Sequence, residues 1–340
     1  MSLPPPLPSV PSPDDVLTVR LPLIPGQQPS PLRNRALLQA GKPWVFLLDS
    51  DAEPAPGCLA ALCRALSRCP KADVVLPRVL SPAGQDPEQG IGSCHFLGEI
   101  CFAGPPRSGQ PSEDVEPLPA VASSTAFLVR REAALSCLFD EELGFGREDL
   151  DFFLRLRAAG RRLIRAPEAV VLHHRRRVLR PGDLRLRRTY FQTRNRWLAL
   201  AKVMDARTLW LTSPLQLAYE ALRLGHSVLQ GEAAEHLRGL CGAVLAIPRI
   251  LESRRSFFPR KSVPDRALFS SGRFSWTPRM MELPGAGRLK SALELLCAAW
   301  WRMISPLLRV EHSRDRRHPL QIGSGRAVRI LEAEKASKKG

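Results

Sequence analysis

Two aspartates one residue apart, Asp49 and Asp51 flanking Ser50, stand directly after the unbroken apolar run Trp44-Val45-Phe46-Leu47-Leu48. Carboxylates at that spacing can share a divalent cation bound to phosphate oxygens, and open α/β sheets bind ligands at the carboxyl ends of their strands. The same pair also suits a surface turn or a helix N-cap. A second acidic pair, Glu148-Asp149, opens a helical stripe after Phe139-Asp140-Glu141 and Gly144. A carboxylate at such an entrance can take a proton from an acceptor hydroxyl, or it can simply complement the helix dipole. His173 and His174 close the apolar run Ala169-Val170-Val171-Leu172, where an imidazole either ligates a metal or sits as a plain surface residue.

These groups need a sheet with helices against it, and the sequence supplies the parts. Arg33 opens a short helix that ends at Gly41, ahead of the strand at Trp44. Leu59, Leu62, Cys63 and Leu66 recur at helical spacing, and Val74-Val75-Leu76 reads as a second strand. The Pro/Gly-rich stretch 81–119 carries a hairpin strand at 94–102. Ala126-Phe127-Leu128-Val129 is a strand followed by a helix over 131–138. Leu150, Phe153, Leu154 and Ala158 form a helical stripe closed by Gly160. Such alternation defines an α/β domain. Residues 1–31 read as a Pro/Ser-rich tail with one edge strand over 16–24. Beyond Arg175 the chain turns basic and helical, with apolar helices over 197–203, 215–229, 237–251 and 293–310 and a loop over 253–287. The arginines around Arg175, Arg176, Arg177, Arg180, Arg194 and Arg196 read as a solvated face.

The 340 residues carry 50 Lys and Arg against 33 Asp and Glu, a net charge of +17 that favours an anionic partner. Nucleotide diphosphates, acidic membranes and nucleic acids all qualify. With aromatics at 6% and no recognised motif, nucleic acid is not expected. Helices that mix Leu and Trp with Arg suit an anionic membrane surface, or they pack as an ordinary subdomain. The eight cysteines form no C-x-x-C pair and read as small buried hydrophobes in a reducing compartment. The start of the sequence lacks signal-peptide features, and no charge-free stretch reaches about 18 apolar residues. The expected location is cytoplasmic, or peripheral at the inner face of the membrane.

Taken in order, the segments resemble family 2 glycosyltransferases, and among them the rhamnosyltransferase-like branch. The similarity runs from about Arg33 to about Asn195. It rests on Arg33-Asn34-Arg35-Ala36-Leu37, on the strand and D-x-D of 44–54, and on Phe127-Leu128-Val129-Arg130-Arg131-Glu132. It continues through Phe139-Asp140-Glu141, Arg147-Glu148-Asp149-Leu150-Asp151, Gly160, Pro167 and Val171-Leu172-His173. The resemblance implies a GT-A-like (Rossmann-like) mixed sheet flanked by helices over 32–195, a basic helical region over 196–312 and a charged tail over 313–340. It implies that Asp51 holds Mg²⁺ or Mn²⁺ against the diphosphate of a nucleotide sugar, with His173 as a further ligand. Asp49, Arg33 and Asn34 fall on the donor side. Asp149 becomes the general base, supported by Glu148, for an inverting transfer to a glycan or lipid-linked acceptor in cell-surface polysaccharide synthesis. The family's two opening βα units have no counterpart before Arg33, so an N-terminally incomplete domain is expected. A non-catalytic binding or scaffold protein with an incomplete donor site is the alternative.

Overall fold

The computed structural model of the chain describes residues 11–22, 28–82, 92–102, 116–117, 123–174, 183–274, 276 and 278–308. The first part contains β1 (Val16–Leu21), α1 (Pro29–Gln39), β2 (Trp44–Asp49), β3 (Ala52–Pro54), α2 (Cys58–Arg68), β4 (Val74–Leu80), β5 (Gly92–His95), β6 (Ile100–Phe102) and β7 (Glu116–Pro117). Next come β8 (Ala126–Arg130), α3 (Arg131–Ser136), α4 (Glu148–Ala158) and β9 (Leu163–His173). The rest is mainly helical: α5 (Asp183–Val203), α6 (Ala206–Leu229), α7 (Ala233–Leu245), α8 (Ile247–Phe257), α9 (Asp265–Leu268), β10 (Phe269–Ser270), α10 (Pro278–Met281) and α11 (Ala286–Ile304).

The large sheet runs β1-β2-β8-β4-β9-β3, with β7 also on β9. β8 is antiparallel to both β2 and β4, whereas β1 is parallel to β2 and β4 is parallel to β9. Thus β1, β2, β4 and β9 all end at one edge, which carries Asp49 and His173. Alternate side chains explain the apolar runs. Trp44, Phe46, Leu48, Val75 and Leu128 pack with α2 on one face, while Val45, Leu47, Val74, Phe127 and Val129 join α4 on the other. A strand buried on both faces needs this continuous hydrophobicity. Each fully buried Leu or Phe contributes roughly 1.5–3 kcal/mol, so the sheet is a rigid platform for its edge.

β1 begins at Val16 as expected, ends at Leu21 rather than at 24, and lies at the edge of the sheet as a parallel neighbour of β2. Two expectations are corrected. The stretch 253–287 is not a plain loop, because it contains α9, α10 and β10, and β10 pairs with β5 in a small second sheet. A two-residue strand with so distant a partner leaves no periodic signal. The arginine run is not uniformly solvated either. Arg175, Arg176, Arg177 and Arg180 lie outside the described residues, but Arg196 is fully buried, donates to the Leu97 carbonyl at 2.7 Å and pairs with Glu220. Arg194 is also buried and donates to the Glu142 carbonyl at 3.0 Å. All eight cysteines are free of disulfides, and six of them are buried.

Candidate active site

The end of β2 is fixed by a bond from the Asp49 N–H to the Thr125 carbonyl at 2.9 Å. The chain then turns through Ser50-Asp51 into β3, whose Ala52 lies opposite His173 of β9. The His174 N–H donates to the Asp51 carbonyl at 2.9 Å, so the backbone ladder itself sets His173 beside Asp51. Nε2 of His173 is 3.4 Å from Asp51 Oδ1. Asp51 is buried, and that oxygen accepts no hydrogen bond. His174 turns instead to Glu53, at 3.0 Å.

α1 brings Arg33 and Asn34 across the same edge. Arg33 is buried over the ring of Phe139, with its guanidinium carbon 5.3 Å from the ring centroid. One Nη lies 3.1 Å from Asp49 Oδ1 and the other 3.7 Å from Glu148 Oε1. A single guanidinium therefore joins the acidic turn after β2 to the acidic start of α4. Burial raises the Asp49 carboxyl above its usual value, with Arg33 opposing the shift. Asn34 is engaged within the chain: its Oδ1 accepts from the Phe139 N–H at 2.9 Å, and its Nδ2 donates to the Phe139 carbonyl at 2.9 Å and to Glu141 at 2.8 Å.

The start of α4 is held from below. Asn195 on α5 donates to the carbonyls of Leu143 at 2.7 Å and Gly146 at 2.8 Å. Gly144 has a φ of 68°, and a Cβ there would meet Phe191 at 2.8 Å, which accounts for the glycine. Arg147 also has a positive φ, 66°, and is the one non-glycine residue with that conformation among the described residues. It anchors on Glu99 at 3.0 Å and on the Gly98 carbonyl. Glu148 and Asp149 follow. Burial, then the neighbouring Asp149 charge, pushes the Glu148 carboxyl up to about 7 against the pull of Arg33. Burial also raises Asp149, while the Leu150 N–H, bonded to its Oδ1 at 2.8 Å, and Arg33 act in the opposite sense.

Arg33, Asp49 and Glu148 thus form one connected cluster, with Asp149 beside Glu148. Asp51 and His173 form a neighbouring pair at the same sheet edge. Asn34 and His174 are occupied by contacts inside the chain. Sequence reasoning missed Glu99 and Arg147 as anchors. Glu99 lies in a Pro/Gly-rich stretch without periodicity, and only the unusual backbone at Arg147 marks it. Among the described residues no three His, Cys, Asp or Glu side chains converge as a metal cage. A hard cation commonly takes one or two protein ligands and completes its shell with phosphate oxygens and water, and the unbonded Asp51 oxygen suits that mode. Arg33 Nε and Nη1 and Glu148 Oε2 are likewise buried without hydrogen bonds, which gives the cleft capacity for a polar ligand.

The mixed sheet with helices on both faces is GT-A-like, the α/β class of nucleotide-sugar glycosyltransferases. No protein-family model matches the chain. Over 152 residues it is 33% identical to the N-acetylglucosaminyl-diphospho-decaprenol L-rhamnosyltransferase of Mycobacterium tuberculosis, in strains CDC 1551 / Oshkosh and ATCC 25618 / H37Rv alike. That alignment covers 40% of this chain and 50% of the relative, so the chain spans about half the length of the curated relatives it matches. Among solved structures, GalNAc-T7 with UDP, GalNAc and Mn²⁺ is 18% identical with a TM-score of 0.36, over 45% of this chain and 31% of that one. Staphylococcus aureus TarS 1–349 is 14% identical with a TM-score of 0.33, over 82% of this chain and 72% of that one. Among the described residues no helix is long and apolar enough to cross a membrane.

Proposed function

We propose that this chain is an inverting glycosyltransferase that moves a sugar from a nucleotide-diphosphate donor to a glycan or lipid-linked acceptor. The observation that carries the reading is Arg33, whose buried guanidinium brings the Asp49 turn and the Glu148-Asp149 helix start into one site. The curated relatives, named for an acceptor on diphospho-decaprenol, support the lipid-linked choice.

Asp51 and His173 are the residues that would hold Mg²⁺ or Mn²⁺. When bound, the ion would offset the charge developing on the leaving diphosphate. Asp149 takes the proton from the acceptor hydroxyl. Its Oδ1 is held by the Leu150 N–H, which leaves Oδ2 for that proton, and its raised pKa makes it a better base near neutrality. Arg33 keeps Asp49 and Glu148 from repelling each other and presents its remaining N–H groups to an anionic donor.

Asp149→Asn tests the assignment, because the amide keeps the shape but cannot accept the proton. Transfer assayed with UDP-, GDP- and dTDP-sugars should fall by roughly 10²- to 10⁴-fold while donor binding persists. Equal transfer by the variant would place the base elsewhere. If none of these donors binds the unmodified chain, the non-catalytic scaffold becomes the better reading.

A further inference from the structure

The four sides of α6 have different neighbours. Thr212, Leu215, Gln216 and Tyr219 are buried in the interior. On one flank Ser227 and Glu220 reach α7 through His236, at 2.9 and 2.8 Å. On the opposite flank the Leu211 carbonyl accepts from Trp300 Nε1 of α11 at 2.9 Å. At roughly 3.6 residues per turn, the sector left between the two flanks carries Trp210, Pro214, Leu217, Ala221, Gly225 and Val228. All six are exposed and apolar, and the same sector carries one exposed charged residue, Arg207, a turn before Trp210. The helices on either side continue the pattern, with Leu237, Val244 and Leu245 exposed on α7 and Leu295, Leu296 and Met303 exposed on α11. Trp210 is 75% exposed and Leu245 80%, values far outside what a packed interior allows. Within these three helices, the exposed charged residues are all arginines: Arg207, Arg238, Arg288 and Arg302.

We propose that this three-helix face seats the protein on an anionic lipid surface. Large apolar side chains left exposed on three neighbouring helices mark an interaction site. An amphipathic layer that buries Leu and Trp at the acyl boundary and offers arginines to acidic headgroups matches that chemistry. A second copy of the chain fits less well, since a two-fold contact would set the same arginines against one another. The tail 309–340 carries more Lys and Arg than Asp and Glu, so it shares the charge of the face rather than complementing it. The inference rests on the surface alone and not on the transferase reading. It places the membrane contact on α6, α7 and α11.

The test is co-sedimentation of the full chain with vesicles of phosphatidylcholine, with and without phosphatidylglycerol, at low and high salt. The chain should pellet with the anionic vesicles and be released by salt. L217E/L295E changes two exposed side chains and should weaken partitioning by about tenfold or more. Tryptophan quenching by brominated lipid in the unmodified chain, reduced in W210F, gives the same answer without a charge substitution. The proposal is overturned if the chain stays in the supernatant with both vesicles, or if L217E/L295E pellets as well as the parent. It is also overturned if light scattering shows a dimer that L217E/L295E dissociates while neither protein binds vesicles.

Discussion

The guanidinium of Arg147 lies 3.0 Å from the carboxylate of Glu99, and both side chains are largely shielded from water. Burial alone would raise the Glu99 carboxyl, but the charges of Arg147 and Arg223 hold it below its usual value. This ion pair ties the β5–β6 hairpin to the residue just ahead of α4, and it holds Arg147 at a positive φ that a side chain disfavours.

Arg147→Ala should therefore cost on the order of 3–5 kcal/mol, because it strands a buried carboxylate. Arg147→Ala combined with Glu99→Gln should recover part of that loss. Arg147→Gly should be more stable than Arg147→Ala by roughly 1–2 kcal/mol, since glycine accepts the left-handed backbone. Urea unfolding of the four proteins checks this, and equal stability of the Ala and Gly variants would show that the backbone there is not strained.

Asn34 is the only described side chain bonded to both backbone groups of Phe139. Asn34→Leu leaves a buried N–H and a buried carbonyl unpaired, for a loss of roughly 2–4 kcal/mol. Asn34→Asp keeps the acceptor but turns a carboxylate toward the Phe139 carbonyl and Glu141, so it should also destabilise at neutral pH and recover as the pH falls. A variant of unchanged stability would return Asn34 to a direct role in the donor site.

The placement of the site residues at the sheet edge was legible because it is tied to strand ends. Asp49 and His173 follow apolar runs, and parallel strands whose residues alternate between two buried faces bring those ends together. Glu148-Asp149 was legible because a helical stripe begins there. The supporting contacts were not. Nothing in a Pro/Gly-rich stretch announces that Glu99 will meet Arg147, and an arginine run does not reveal that Arg196 finds a carboxylate at Glu220 in the interior. The apolar character of α6 was plain, but periodicity cannot say whether a helix faces core or exterior on each side. Leu215 and Leu217 are two residues apart, and one is buried while the other is exposed.

If Asp51 holds the divalent ion, Asp51→Asn should abolish Mn²⁺-dependent binding of UDP or dTDP measured by calorimetry while leaving the fold intact. The substitution replaces a buried carboxylate with an amide of the same shape, so circular dichroism should be unchanged. His173→Ala should weaken the same binding to a lesser degree, because the imidazole would be a second ligand beside Asp51. Undiminished Mn²⁺-dependent binding by Asp51→Asn would remove the metal from this turn.

Glu148 gives the pH dependence. Its carboxyl is pushed up to about 7 from an ordinary 4.5 by burial and by the Asp149 charge, with Asp49 adding to the rise and Arg33 opposing it. Between those values the folded protein keeps a proton that the unfolded chain has already released. Stability from this group must therefore fall as the pH rises through that window and level off above about 7. A shift of this size corresponds to a few kcal/mol, about 1.4 for each unit. Glu148→Gln removes the titration and should flatten most of the slope, leaving the part due to Asp149, which is raised in the same direction. Denaturant midpoints measured from pH 4.5 to 8 for both proteins decide it. A parent whose stability rises across that range, or a Glu148→Gln variant that loses stability just as steeply, would mean that Glu148 is ionised in the folded protein throughout and that Arg33, not a proton, balances its charge.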